Sequence, residues 1–424
     1  MSIRQLFLSA MCLTSFGLAA QTMASAEPTK ANALSLAQTL EAAKQNGAAK
    51  LSQQDLAAAR FDVLTADRAP LPTFSAKAST SDAGNGTALT AGSAPRKTDK
   101  SWGLDWTFER GGKRGHRTEA ARLIAQAAEA ELTETQMQQQ LLAKDLFFDV
   151  LTAQEKTHHL KAIALAAEAT ASTAKVRQQA GDLSAQDMLR VEIEAERASA
   201  DYRKSLLDEK RSSHVLAQTL GMSSAQVSTV KSDWPQLSNL PLEQTQSLDE
   251  WIASRPDVKA ALLRMQAAQA LLENAKALGK IDPTIGLSVD SNPGTTKRLT
   301  ELRVQFPLQA NSTYDGEIGR ATAQYDQAQT QWEQAKLNAQ TEWQTMREAH
   351  AASMARQKIY AQEIVPRAQK VAAQAELAYA KGAIPLVDLL DARRTLKTSL
   401  IEALDVQSEH AKTSAALQLR APKL

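Results

Sequence analysis

The 424-residue sequence carries 49 basic and 47 acidic residues, a formal net charge of +2, and only 4% aromatic residues. So even a balance argues against nucleic acid as a partner. A chain rich in Ala, Gln and Glu but poor in aromatics suits long helices packed side by side better than one thick core.

At the N-terminus, Arg4 is the only charge before Glu27, and a short, mostly apolar run from Leu6 to Ala20 leads to Ala24-Ser25-Ala26. That is the layout of a secretory signal peptide over residues 1–26, too short for a stable membrane span. The single cysteine, Cys12, lies inside it, so the exported chain is expected to hold no disulfide. Met11 is bulky and the apolar run continues past Cys12, which argues against lipid attachment there.

The exported part is expected to hold two copies of one layout, at 27–225 and 246–424, joined by a linker at 226–245. Gly181, Leu183, Asp187 and Leu189 recur at one constant spacing as Gly382, Ile384, Asp388 and Leu390. Pro72-Thr73 and Pro283-Thr284 open similar segments, and Phe108 and Phe306 close them. Each copy reads helix, strand, loop, strand, long helix, turn, helix.

The first pair of strands is expected at about 72–80 and 100–109, the second at about 283–290 and 298–307. All four alternate with period two, which gives one apolar and one polar face. Phe74, Ala76 and Ala78 share a face, as do Trp102, Leu104, Trp106 and Phe108; Ile285, Leu287 and Val289; and Leu302, Val304 and Phe306. Gly84, Asn85, Gly86, Gly92 and Pro95 mark the loop of one hairpin, and Asn292-Pro293-Gly294 the tight loop of the other.

After each pair comes a helical hairpin, about 114–222 and about 314–420. Their first arms, about 114–180 and 314–380, would each run roughly 100 Å at ~1.5 Å per residue. Ile318, Ala321, Tyr325, Ala328, Trp332, Ala335 and Ala339 follow the spacing of a coiled-coil seam. The earlier arm is less regular, with Met137, Leu141, Phe148 and Leu151 as its clearest members. Gly181 and Gly382 suit the left-handed position that ends a helix. Ser184 can cap the next helix with Asp187, and Pro385 suits a first turn.

Four strands with an apolar face cannot close a barrel, and lipid does not permit open edges. Three copies would supply twelve strands, enough to enclose a pore. The expected fold class is therefore mainly α with a small β part: a trimeric twelve-stranded membrane β-barrel continued by a helical coiled-coil barrel. The polar faces would line the lumen, and Trp102, Trp106, Phe108 and Phe306 would face lipid. The helices are too polar to enter the membrane and would hang in the periplasm.

This layout resembles the TolC-type outer-membrane efflux proteins, and the motif Tyr-Ala-Lys-Gly-Ala-Ile-Pro-Leu-Val-Asp-Leu-Leu-Asp at 379–391 carries the resemblance most specifically. It implies a passive homotrimeric duct in the outer membrane, with its helical part in the periplasm. Its partners would be a periplasmic adaptor (membrane fusion protein) and an inner-membrane RND antiporter. It also implies a periplasmic gate in which Asp388 and Asp391 form carboxylate rings and Tyr379 bonds across to Asp187. The arginine that latches the gate in relatives has no match; Ile384 stands in its region. Phe306-Pro307-Leu308, Asn311 and Tyr314-Asp315-Gly316-Glu317-Ile318 are similar to the heavy-metal branch, the CzcC-like and CnrC-like proteins. That implies export of cobalt, zinc, cadmium or nickel; drugs or other organic compounds are the alternative cargo.

No cofactor, metal site or enzymatic activity is expected. The six histidines lack any H-x-x-x-H spacing, and a solvated helix face accounts for them. Arg110-Gly111-Gly112-Lys113-Arg114 lacks the residues of a phosphate loop and reads as a polar joint between barrel and helix. Trp332 and Trp343 read as core. Asp187 and Asp388 also fit helix capping, whereas Asp391 lies too far into its helix for that. A periplasmic coiled-coil adaptor or scaffold is the alternative of another class, but an adaptor would carry one hairpin, not two each preceded by strands.

Overall fold

The computed structural model describes residues 33–81, 97–227, 229–231, 234–235, 247–292, 296–307 and 314–420. The signal segment, Cys12, the glycine-rich loop of the first hairpin, Pro293-Gly294, Leu308, Asn311 and most of the linker lie outside them.

Two short N-terminal helices, α1 (Leu36–Ala43) and α2 (Gly47–Ala66), precede strands β1 (Thr73–Ser81) and β2 (Lys97–Thr107). Helices α3 (Lys113–Gln179) and α4 (Ala185–Leu220) form the first long hairpin. Then come α5 (Leu248–Ser254), α6 (Pro256–Ala277), β3 (Thr284–Asn292) and β4 (Thr296–Gln305). The second hairpin is α7 (Asp315–Ile359), a π turn (Tyr360–Ile364), α8 (Val365–Ala380) and α9 (Leu386–Arg420). At 67 residues, α3 spans about 100 Å.

The arm expected as one helix over about 314–380 is not uniformly α-helical. Pro366 has no N–H to return to the carbonyl four residues back, and its ring crowds that carbonyl. The π turn just before it, Tyr360–Ile364, widens the ladder and absorbs the mismatch.

The strands make one antiparallel sheet in the order β1-β2-β3-β4. Register places Phe74 opposite Leu104, Ala76 opposite Trp102, Trp106 opposite Ile285, and Leu287 opposite Leu302. The apolar face is therefore continuous across all four strands. It is also uncovered: Phe74 is 65% exposed, Trp102 54%, Leu302 71% and Phe306 53%. Among the described residues no helix is long and apolar enough to cross a membrane.

The helices bury their apolar residues in three places. Phe147, Phe148, Leu216, Leu220 and Ala411 gather α3, α4 and α9, with Trp234 stacked on Phe148 at 6.0 Å between ring centres. Trp251, Ile252, Val258, Trp343 and Leu417 tie α5 and α6 to α7 and α9. Trp332 is half-buried at the edge of that cluster, less enclosed than a core tryptophan. The third cluster lies where the two hairpins end.

Candidate functional site

The ends of both hairpins are built alike. Gly181 (φ 86°) and Gly382 (φ 71°) adopt the left-handed conformation open to glycine. Beside them the N–H groups of Asp182 and Ala383 reach back to the carbonyls of Arg177 and Ala378, at 2.8 Å each. These paired bonds satisfy carbonyls that a helix end leaves open. Ser184 then caps α4: its hydroxyl accepts from the Asp187 N–H at 3.0 Å and donates to the Asp187 carboxylate at 2.8 Å. Pro385 stands one residue before α9 rather than within its first turn.

The two tips pack on each other through Met188 and Val191 of α4, Ala174 of α3, and Leu386, Leu389 and Leu390 of α9. Tyr379 of α8 borders this cluster. Asp388 and Asp391 stand on the outward side of the same turns of α9, three residues apart and exposed. Neither takes an ion-pair partner among the described residues. Arg394, one turn on, bonds Glu194 at 2.8 Å, which raises its guanidinium above the ordinary value, with the field of Asp391 adding to the effect.

Within this chain Tyr379 does not bond Asp187. Its hydroxyl accepts from Arg177 Nη1 at 3.4 Å, and the guanidinium also lies 5.7 Å from the ring centre. Asp187 is engaged by Ser184 and by Arg190 at 3.5 Å. The Tyr379 oxygen thus accepts from a cation on α3, while the Asp187 carboxylate is held at its own helix start. Further from the tips, Arg393 bonds Glu376 and Thr170, and Lys397 bonds Asp201. Arg393 and Lys397 border an open pocket of about 290 Å³ lined by Ile163, Ala166, Val191, Leu390 and Leu400.

At the other end, the glycine-rich segment after β2 is a packed joint. Gly111 and Gly112 both have φ of 74°, and a Cβ on Gly111 would stand 2.7 Å from Lys280 Cγ. Lys113 is buried, its ammonium donating to the Lys280 carbonyl at 2.7 Å and to Asp282 at 2.8 Å. The Arg110 N–H donates to the other Asp282 oxygen at 2.8 Å. Arg117 clasps Glu109 and the Ala66 carbonyl, tying α2 and α3 beneath the sheet. Trp106 and Phe108 stack at 5.6 Å on the apolar side of this joint, and Phe74 and Trp102 meet at 6.0 Å higher up.

The solvated-face reading of the histidines fails for two of them. His350 of α7 and His410 of α9 are 6% and 1% exposed, with rings stacked 5.3 Å apart. Sixty residues separate them, so no local spacing could have paired them. Among the described residues no group of three or more His, Cys, Asp or Glu side chains could hold a metal ion.

Residues 247–420 match the outer membrane efflux protein family. The sequence is 24% identical over 299 residues to the cobalt-zinc-cadmium resistance protein CzcC of Cupriavidus metallidurans, covering 70% of this chain and 71% of that protein. The fold superposes on the outer membrane protein VceC of Vibrio cholerae with a TM-score of 0.76, at 17% identity, covering 91% of this chain and 96% of that one. It also superposes on the Campylobacter jejuni CmeC outer membrane channel with a TM-score of 0.73, at 15% identity, over 91% and 85% of the two chains. By the match over residues 247–420 and by a fold shared over nine-tenths of its length, the chain is similar to the outer membrane efflux proteins.

Proposed function

We propose that this chain is the outer-membrane subunit of a three-part export system and conducts passively from periplasm to exterior. The observation that carries the reading is the sheet: four strands, one continuous exposed apolar face, and outer strands β1 and β4 whose outward edges are unpaired among the described residues. Such a sheet is costly in water, and in lipid its edges must be paired. Three copies give twelve strands and a closed pore. Trp102, Trp106, Phe108 and Phe306 then contact lipid, and the helices continue the duct into the periplasm. The units 27–225 and 246–424 are read as duplicated halves around the linker at 226–245.

The tips of the hairpins form the gate. Threefold symmetry gathers Asp388 and Asp391 into six carboxylates around the periplasmic mouth, a ring that favours bound cations. Asp187 and Tyr379 belong to the same gate, at the tips of the two hairpins. A periplasmic adaptor seals the tips and an RND antiporter of the inner membrane supplies the energy.

Divalent heavy-metal cations are the cargo, a reading supported by the similarity to a cobalt-zinc-cadmium resistance protein. Deleting the gene and measuring tolerance to cobalt, nickel, zinc and cadmium beside dyes and antibiotics tests it. Lost tolerance to metals is expected; lost tolerance to organic compounds alone would transfer the cargo to them. For the assembly, a heat-modifiable trimer band in the outer-membrane fraction is expected, and a soluble monomer would end the duct reading.

A further inference from the structure

The polar face of the sheet is ordered in rungs by the cross-strand register. Nearest the helices lie Thr107, Thr284 and Gln305, uncharged, with the two threonine hydroxyls 2.8 Å apart. The next rung holds Thr73, Asp105, Gly286 and Arg303. Above it stand Ser75, Gly103, Ser288 and Glu301, then Lys77, Ser101, Asp290 and Leu299, the last an apolar exception.

In the second rung Arg303 of β4 crosses the whole of β3 to reach Asp105 of β2, Nη2 to Oδ1 2.6 Å. It can do so because Gly286 between them has no side chain. A Cβ there would stand 2.2 Å from the Asp105 carboxylate oxygen and 3.3 Å from Arg303 Nε. The ion pair thus lies flat on the polar face, where a β3 side chain would otherwise project, and Arg303 stays half exposed.

We infer that Arg303, laid across Gly286 onto Asp105, sets the ion selectivity of the duct where the helical tube meets the barrel. The inference rests on the proposed trimeric barrel. In that barrel the rung becomes a ring of three neutralised pairs, next to a ring of three Glu301 carboxylates. Low-dielectric walls focus the field of each fixed charge on passing ions. Without Arg303, Asp105 is unmasked and its ring turns acidic beside the acidic ring of Glu301. Without Asp105, three guanidiniums face the lumen beside Glu301 and offset it.

The test is the reversal potential of the full-length protein in planar bilayers across a KCl gradient. Arg303→Gln is expected to raise the potassium-to-chloride permeability ratio by about twofold or more, and Asp105→Asn to lower it. Arg303→Lys keeps the charge and is expected to keep the ratio, and the double variant to return close to it. Pores that open in Arg303→Gln and Asp105→Asn with an unchanged ratio would overturn the inference while leaving the duct intact. Absence of any conductance from the unmodified protein would overturn both. If one neutral variant fails to insert, the sign of the shift in the other decides.

Discussion

Arg177 and Tyr379 meet where the two hairpin tips adjoin, guanidinium to phenol oxygen 3.4 Å and to ring centre 5.7 Å. The contact joins α3 to α8, so it resists separation of one hairpin from the other. Such an exposed hydrogen bond contributes about 0.5–1 kcal/mol, and a cation over a ring at an exposed site a similar amount. Tyr379→Phe removes only the first, Arg177→Met both. In single-channel recordings the open fraction is therefore expected to rise slightly for Tyr379→Phe and further for Arg177→Met. Equal open fractions in all three proteins would show that the contact does not restrain the gate.

Asp388 and Asp391 give a second, separable prediction. Both are exposed and hold no ion-pair partner among the described residues, so a ring of them is open to multivalent cations. Replacing both by alanine is expected to abolish block by such cations from the periplasmic side. The conductance should otherwise change little, since neither carboxylate belongs to the packed cluster of Leu386, Leu389 and Leu390. Block that persists in the double variant would remove these residues from the role.

Glu342 supports a prediction about stability. One of its oxygens lies 2.6 Å from Arg255 Nη2 and the other 3.3 Å from Arg420 Nε. Both arginines are buried, 4% and 3% exposed, and Arg420 also pairs with Glu134 of α3. The network therefore fastens α6 and the end of α9 to α7 and α3 beside Trp251 and Trp343. Glu342→Gln leaves Arg255 paired with Asp257 and Arg420 with Glu134 but removes the carboxylate they share, at a cost of about 1–2 kcal/mol after allowing for the partial exposure of Glu342. The midpoint of thermal unfolding, followed by circular dichroism, is expected to fall. Glu333→Gln on the same helix, outside the network, is the control.

How much of this was legible in the sequence depended on whether the signal was local. Period-two alternation gave the strands and which residues share the apolar face, because each strand has one packed neighbourhood along its length. The seam Ile318, Ala321, Tyr325, Ala328, Trp332, Ala335 and Ala339 coincides with the buried and half-buried positions of α7. The first arm showed a less regular seam, Met137, Leu141, Phe148 and Leu151, and the reason is physical: α3 packs against α1, α2, α4, α6 and α9, so its buried side changes along its length. Pro366 was visible, yet the π turn that accommodates it was not inferred. Long-range pairs left no trace at all. Asp282 beneath Lys113, Arg303 reaching Asp105, and Arg177 rather than Asp187 beside Tyr379 each follow from which helices and strands become neighbours.

His350 and His410 belong to that unreadable class, and they imply acid sensitivity. Burial holds the His350 imidazole below the ordinary histidine value of about 6.5. The folded state thus binds a proton less readily than the unfolded chain. Stability from the neutral ring is complete above the unfolded value and is lost as pH falls below it, toward the depressed folded value. Along these helices Arg356 is paired with Glu409, and Lys412 with Asp149. The expected result is a drop in the thermal midpoint between pH 7.5 and pH 5.5. His350→Phe keeps a flat ring against His410 but cannot take up a proton, so it is expected to lessen that drop. An equal drop in both proteins would assign the acid sensitivity to other groups and leave the stacked pair as packing alone.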